Sequence, residues 1–196
     1  METLPLLADM LSGSDLVTLR DKALLLLGFA GAFRRSELVA VQIEDLTFTT
    51  QGMVVFIPQS KGDQLGAGSE IAIPYAPQKE ICAVRAVRNW MEAAGITSGP
   101  LFRGFKRNLQ PRDTQLNDKA VAEIVKKYMA RLGLDPSDFA GHSLRRGFAT
   151  SAAQHDLNTL EIMRQTRHKS EKMVHRYIEQ GNLFKENALD KMFNKK

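Results

Sequence analysis

The sequence predicts a mainly helical α+β domain with one small three-stranded antiparallel sheet, and three observations predict it. Apolar residues recur at three- and four-residue spacing over most of the chain, most cleanly from Val121 to Leu132. Between Leu46 and Ile73 the period changes to short β-type runs broken by Gly, Pro and polar turns. At 196 residues, with 43% apolar and 25% charged residues, the chain can bury one sizeable core, and no repeat, low-complexity stretch or linker divides it.

In chain order, Leu4 to Leu11 reads as a short helix ending near Gly13. Ser14 and Asp15 offer N-cap oxygens to a second helix, whose run Ala23 to Leu27 is apolar nearly all round and therefore belongs in the core. Gly28 and Gly31 loosen its end, and Ser36 to Val41 adds another turn or two. Leu46 and Phe48, then Val54, Phe56 and Ile57, then Ile71 and Ile73 make the three strands, with Pro58 and Pro74 limiting their length. Gln51-Gly52 turns the first hairpin, and a longer loop through Gly62 to Ser69 turns the second, which carries Lys61. From Gln78 the pattern is helical again, with Ile81, Val84, Val87, Trp90, Met91 and Ala94 on one face and Gly95 closing it. Pro100 to Leu116 reads as a basic loop, and Gly133 ends the Val121–Leu132 helix. Shorter helices are expected at Leu144 to Ala153, Leu157 to Gln165, Glu171 to Glu179 and Leu183 to Phe193.

Composition narrows the function classes. Lys plus Arg is 27 against 22 for Asp plus Glu, a formal charge of +5, which suits a polyanionic partner because neutralised phosphates release counterions. The cations cluster at Arg34-Arg35, Arg103 to Arg112, Arg145-Arg146 and Arg164 to Lys172. The single cysteine, Cys82, cannot form an internal disulfide. No apolar run approaches the ~20 residues that cross a bilayer, and Met1 to Leu4 lacks the basic lead of a secretory signal, so a cytoplasmic location without a membrane partner is expected. The four histidines, at 142, 155, 168 and 175, form no H-x-x-x-H pair, so no metal site is expected. No phosphate-binding G-x-x-x-x-G-K-[ST] loop is present either.

Three local groups mix cations with residues able to move protons. Arg34 and Glu37 stand three apart, which alone describes a surface ion pair worth under ~1 kcal/mol. His142 and Arg145 are also three apart at a helix start that favours anions, although a capping Ser143 with a solvated basic turn accounts for the same residues. Arg167-His168-Lys169-Ser170 is followed by Tyr177, which alone is a packed ring with its hydroxyl at the rim. Lys61 alone is an ordinary solvated lysine.

Taken together, the groups resemble the tyrosine recombinase (phage integrase) family, over roughly residues 15 to 180. Gly31-Ala32-Phe33-Arg34-Arg35-Ser36-Glu37-Leu38 is similar to its first arginine box, and Ser60-Lys61-Gly62-Asp63-Gln64 to its hairpin lysine. His142-Ser143-Leu144-Arg145-Arg146 with Phe148-Ala149-Thr150 is similar to its H-x-L-R box, and Arg167-His168-Lys169-Ser170 with Tyr177 to its last box and nucleophile. Two departures stand out. The family commonly has glycine where this chain has Arg167, so another turn geometry and an added phosphate contact are expected there. The family also usually carries a helical core-binding domain in front, so residues 1–196 are read as a single catalytic domain, with a lead-in at 1–14, a tail helix at 183–196, and that front domain absent.

The resemblance implies the catalytic fold of that family and site-specific DNA recombination or integration through a 3′-phosphotyrosyl intermediate, with no cofactor. It implies Tyr177 as nucleophile, Arg34 and Arg145 as a clamp on the phosphate, and His142 as base or proton relay. Lys61 would be the acid for the departing 5′-oxygen, His168 a hydrogen-bond donor to phosphate, and Glu37 a support that orients the arginine and histidine. Tyrosine ordinarily titrates near 10, so such a nucleophile must shed its proton as it attacks or be shifted by neighbouring cations. Double-stranded DNA is the partner implied, with a free monomer that becomes a homo-tetramer on DNA by exchanging C-terminal tails, in a prokaryotic or phage nucleoid. Two other readings stay open: a DNA-binding module with an idle site because its core-binding domain is missing, and a type IB topoisomerase-like relaxation activity.

Overall fold

The computed structural model describes residues 6, 9–58, 68–168 and 170–181. In order the elements are α1 (Leu16–Ala30), α2 (Arg35–Ala40), β1 (Leu46–Phe48), β2 (Gly52–Ile57), β3 (Ser69–Pro74), α3 (Ala83–Ala94), β4 (Arg103–Phe105), β5 (Pro111–Gln115), α4 (Asp118–Arg131), α5 (Ser143–Gln154), α6 (Thr159–Thr166) and α7 (Glu171–Gly181). The mainly helical α+β class is confirmed, and the expected sheet forms in the order β1-β2-β3, antiparallel throughout. Of the expected first helix, Leu6, Asp9 and Met10 are described and helical. Lys61 and the tail helix at Leu183 to Phe193 lie outside the described residues.

Helix α1 is the spine. Asp15 caps it by accepting the Thr18 N–H at 3.0 Å, and Ala23 through Gly28 are all buried. It packs chiefly on α3, and also on α4 and α5. Gly28 and Gly31 do more than loosen its end. A Cβ on Gly28 would come within 2.6 Å of Leu144 and 2.9 Å of Leu38, so the bare backbone lets α5 and α2 close onto α1. That approach brings the start of α5 beside the turn leading into α2.

Two charged residues of α1 are buried as well, and the apolar pattern gave no sign of them. The Asp21 carboxylate accepts bonds from Arg20 at 2.6 and 2.9 Å, from the Tyr128 hydroxyl at 3.1 Å and from Lys127 at 3.3 Å, joining α1 to α4. Burial pushes the Tyr128 hydroxyl up and the Asp21 charge pushes it further, so it remains a donor. Arg20 also donates to the Arg103 carbonyl at 3.2 Å and lies 4.9 Å over the Phe105 ring.

Those last contacts hold a second sheet where a basic loop was expected. Strands β4 and β5 pair antiparallel, with a register shift between Arg103 and Phe105. Their residues are half-buried or exposed rather than alternating, so no period-2 apolar signal marks them. In the three-stranded sheet the alternation is regular: Met53, Val55 and Ile57 of β2 and Ile71 and Ile73 of β3 face the core.

Among the described residues apolar burial falls into two clusters. The large one includes Leu24 to Leu27, Phe33, Trp90, Phe102 and Tyr128; the small one is Ala149, Ala152, Ala153, Ile162 and Val174, with Phe148, Met163, Tyr177 and Ile178 packed on it. No helix of the described residues is long and apolar enough to cross a membrane.

Asp21→Ala would leave Arg20 buried without its counter-charge and should cost about 3–5 kcal/mol of unfolding free energy. Urea denaturation measures it; a loss below about 1 kcal/mol would show that this network is not what joins α1 to α4.

Candidate active site

The first predicted box lies where α1 turns into α2. Ala32 adopts a left-handed φ of +45°, Phe33 is buried, and Arg34 stands at the N-cap of α2 rather than on its face. Glu37, in the first turn, is 4% exposed in its side chain, so the pair is not a surface ion pair. One Glu37 oxygen accepts the Arg34 backbone N–H at 3.0 Å and Arg167 Nη2 at 2.8 Å, while the other takes Arg34 Nη1. Burial pushes the Glu37 carboxyl up, but the Arg34 N–H and the Arg167 and Arg34 guanidinia together hold it below the ordinary carboxylate range.

The second box opens α5. His142 is the N-cap residue and exposed, and Ser143 Oγ accepts the Ala140 N–H at 2.9 Å. Arg145 is buried, with Nη1 donating to the Ala32 carbonyl at 2.8 Å. Its Nη2 is buried without a hydrogen-bond partner among the described residues. Burial, then the charges of Arg34 and Arg167, pull the Arg145 guanidinium down to about 10, so it remains a cation at neutral pH.

The last box joins α6 to α7. Arg167 is the C-cap of α6 in the left-handed region, at φ 56° and ψ 38°, so no other turn geometry is needed to seat its side chain. His168 follows, 9% exposed, with Nδ1 2.8 Å from Thr166 Oγ1. Thr166 spends its own proton on the Ile162 carbonyl at 2.7 Å, so its oxygen accepts and His168 Nδ1 carries a hydrogen. Burial and the charges of Arg145, Arg34 and Arg167 push the His168 imidazole down to about 4. Tyr177 is half-buried on α7 above the buried Val174, its ring centroid 5.9 Å from that of His168.

These pieces share one cleft of about 640 Å³, lined by Arg34, His142, Arg145, Arg167, His168 and Tyr177 together with Asp138, Ala140, Ser143, Arg146, Ser170 and Met173. Glu37 sits behind the cleft, bonded to Arg34 and Arg167, with no histidine among its described hydrogen-bond partners. Lys61 lies outside the described residues. The sequence reading missed Thr166, which sets the His168 tautomer, and the inward course of Arg167; a threonine ending a helix carries no distinguishing signal. Among the described residues no group of three or more His, Cys, Asp or Glu could hold a metal ion. Three guanidinia around one carboxylate leave a net positive cleft beside a phenol, an arrangement suited to a phosphodiester and a tyrosine nucleophile.

Residues 4–182 match the Phage integrase family. The integrase/recombinase xerD homolog of Selenomonas ruminantium is 68% identical over 195 residues, covering 100% of this chain and 57% of its own. Tyrosine recombinase XerA of Pyrococcus horikoshii is 33% identical over 132 residues, 67% of this chain and 40% of its own. The chain therefore spans about half the length of these relatives. Among solved structures, XerH site-specific recombinase bound to palindromic difH substrate, in a post-cleavage complex, superposes with TM-score 0.74 at 18% identity, over 98% of this chain and 50% of that one. XerA recombinase superposes with TM-score 0.69 at 15% identity, over 100% of this chain and 63% of that one. At those identities the likeness is one of fold, and it bears out the recombinase catalytic fold.

A pH dependence follows from His168. Below about pH 6.5 the unfolded chain protonates this imidazole, whereas the folded chain resists until about pH 4. Its share of stability should therefore be complete above about pH 6.5, fall as pH drops through that window, and level off below it. Chemical denaturation should show a shallower slope for His168→Gln than for the parent; equal slopes would contradict the assignment.

Proposed function

Since the chain belongs to the phage integrase family, we propose that it cleaves and rejoins double-stranded DNA at specific sites through a 3′-phosphotyrosyl intermediate. The observation that carries this reading is Arg145, which is buried in a cleft shared with Tyr177, anchored through Nη1 and unpartnered at Nη2. A buried guanidinium donor without a partner is costly, and an anionic oxygen offsets that cost.

In the proposed reaction the Tyr177 hydroxyl oxygen attacks the scissile phosphorus, the bond from phosphorus to the 5′-oxygen breaks, and the 3′-phosphate stays on the enzyme. The phenol proton passes to His142, and Lys61 supplies the proton for the departing 5′-oxygen. A 5′-hydroxyl of a second strand then attacks the phosphotyrosine and reverses these transfers, so one phosphodiester replaces another without an external energy source. Negative charge gathers on the non-bridging oxygens in the transition state, where rigid guanidinium forks stabilise it best. Arg34 and Arg145 supply those forks, each already oriented, Arg34 by Glu37 and Arg145 by the Ala32 carbonyl.

His168 has a more conditional part. With Nδ1–H committed to Thr166, the neutral ring has a bare Nε2 and cannot donate there. It becomes a phosphate donor only by taking a second proton. A phosphodiester that balances the surrounding cations favours that uptake, so DNA binding and protonation of His168 are linked.

In the same reading the whole 1–196 chain is one catalytic domain, monomeric when free and tetrameric on DNA, acting in the cytoplasm on a prokaryotic or phage nucleoid. The apolar residues Phe184, Ala188, Leu189, Met192 and Phe193 in the tail sequence, together with the exposed Leu157 just before α6 and Leu160 on it, support exchange of tails between copies.

Covalent trapping on nicked duplexes from a randomised pool tests this. A DNA-linked band on a denaturing gel is expected with the parent and not with Tyr177→Phe, and Arg145→Ala should slow its formation by about 100-fold or more. No band with the parent, alongside low-salt DNA binding by both proteins, would instead indicate a DNA-binding module with an idle site.

A further inference from the structure

Three consecutive carbonyls where α1 ends and the chain turns toward α2 each hold a side chain from α5, α6 or the residue that caps α6. The Ala30 carbonyl accepts Gln165 Nε2 at 2.7 Å, the Gly31 carbonyl accepts Arg167 Nη1 at 3.1 Å, and the Ala32 carbonyl accepts Arg145 Nη1 at 2.8 Å. We propose that Arg167, assisted by Gln165, is a positioning residue that fastens the segment carrying His168 to this turn, setting the last box in register with Arg34 and Arg145. The proposal rests on the strand-cleavage reading above.

The bonds of Arg167 say why it positions rather than binds phosphate. Nη1 is shared between the Gly31 carbonyl and the Gln165 carbonyl at 3.0 Å, and Nη2 is taken by Glu37 at 2.8 Å. The guanidinium lies 5.3 Å over the Phe33 ring. That ring in turn occupies the space a side chain on Gly31 would need, since a Cβ there would approach it to 2.1 Å. Gly31, Phe33 and Arg167 thus form one stack, and Glu37 connects it to Arg34. Only Nε of Arg167 lacks a partner among the described residues.

The backbone points the same way. A left-handed φ of +56° is strained at a residue with a side chain, a strain that glycine would avoid. The buried bonds of the Arg167 side chain offset that cost, and they all run to the first box or to its own turn. Gln165, in the last turn of α6, and Arg167, its C-cap, therefore both reach Ala30–Ala32, the segment that orients Arg145.

The test compares the parent with Arg167→Gly, Arg167→Lys and Gln165→Ala on nicked duplex DNA, reading Kd separately from the rate of Tyr177–DNA bond formation at saturating DNA. Arg167→Gly suits the left-handed turn, so it should fold. Its saturated rate should fall by about 10- to 100-fold while its Kd changes by less than about 3-fold. Arg167→Lys, able to reach Glu37 but not both carbonyls, should recover part of the rate, and Gln165→Ala should lose less than Arg167→Gly. Amide exchange of the 165–168 segment should quicken in Arg167→Gly; this arm needs no turnover and judges the fastening even where the parent fails to cleave. An unchanged rate with unchanged exchange would overturn the proposal. So would a loss of Kd equal to the loss of rate, which is the signature of a direct phosphate contact.

Discussion

One carboxylate governs the cleft. Arg34, Arg145 and Arg167 crowd a region where burial already disfavours charge, and each depresses the others' neighbours: Arg145 is pulled down to about 10 and His168 to about 4. Glu37 is what makes the crowding tolerable, because its two oxygens bridge Arg34 and Arg167 from behind. It offsets one positive charge of the three. The remainder stays on donors that line the cleft, so the folded protein stores an electrostatic demand for an anion instead of satisfying it internally. A phosphodiester meets that demand with geometry that planar guanidinia match.

The scaffold divides between holding and acting. The large cluster around α1, α3 and α4, with its buried Asp21 network, holds most of the buried apolar side chains and none of the residues that line the cleft. Tyr177 rides on the much smaller cluster of Ala149, Ile162 and Val174, where few apolar contacts restrain α6 and α7. This lighter part is tied to the larger one by Leu144 of α5 and the Phe29–Phe148 ring pair between α1 and α5 and, at the cleft, by polar bonds of Gln165, Arg167 and Arg145 to the Ala30–Ala32 carbonyls. In the proposed reaction the nucleophile would sit on the more lightly packed element and the phosphate-binding guanidinia beside the larger core.

Much of this was legible in the sequence, for physical reasons that differ from part to part. Helices α1, α3 and α4 announce themselves because their apolar residues recur with the helical period and Asp15, Gly95 and Gly133 mark their ends. The three-stranded sheet shows because one face is buried and the alternation is regular. The β4–β5 hairpin does not, since Phe105 is its single large apolar contact with the core and Arg20 and backbone pairing do the rest. The site residues are readable as motif boxes, but their environments are not: spacing places Arg34 and Glu37 together without showing that the carboxylate is buried or that Arg167, 130 residues on, shares it. Nor could a helix-end Thr166 be recognised as the group that fixes a histidine tautomer, because that depends on a turn two residues long folding back on itself.

The dependence on Glu37 is tested most directly by Glu37→Gln, which keeps the shape of the side chain and removes its charge. The account predicts a loss of about 3 kcal/mol or more in unfolding free energy, together with a failure to form the DNA-linked product at the parent's rate. A variant within about 0.5 kcal/mol of the parent and equally fast would contradict it, and would mean that the arginine cluster is held without this carboxylate.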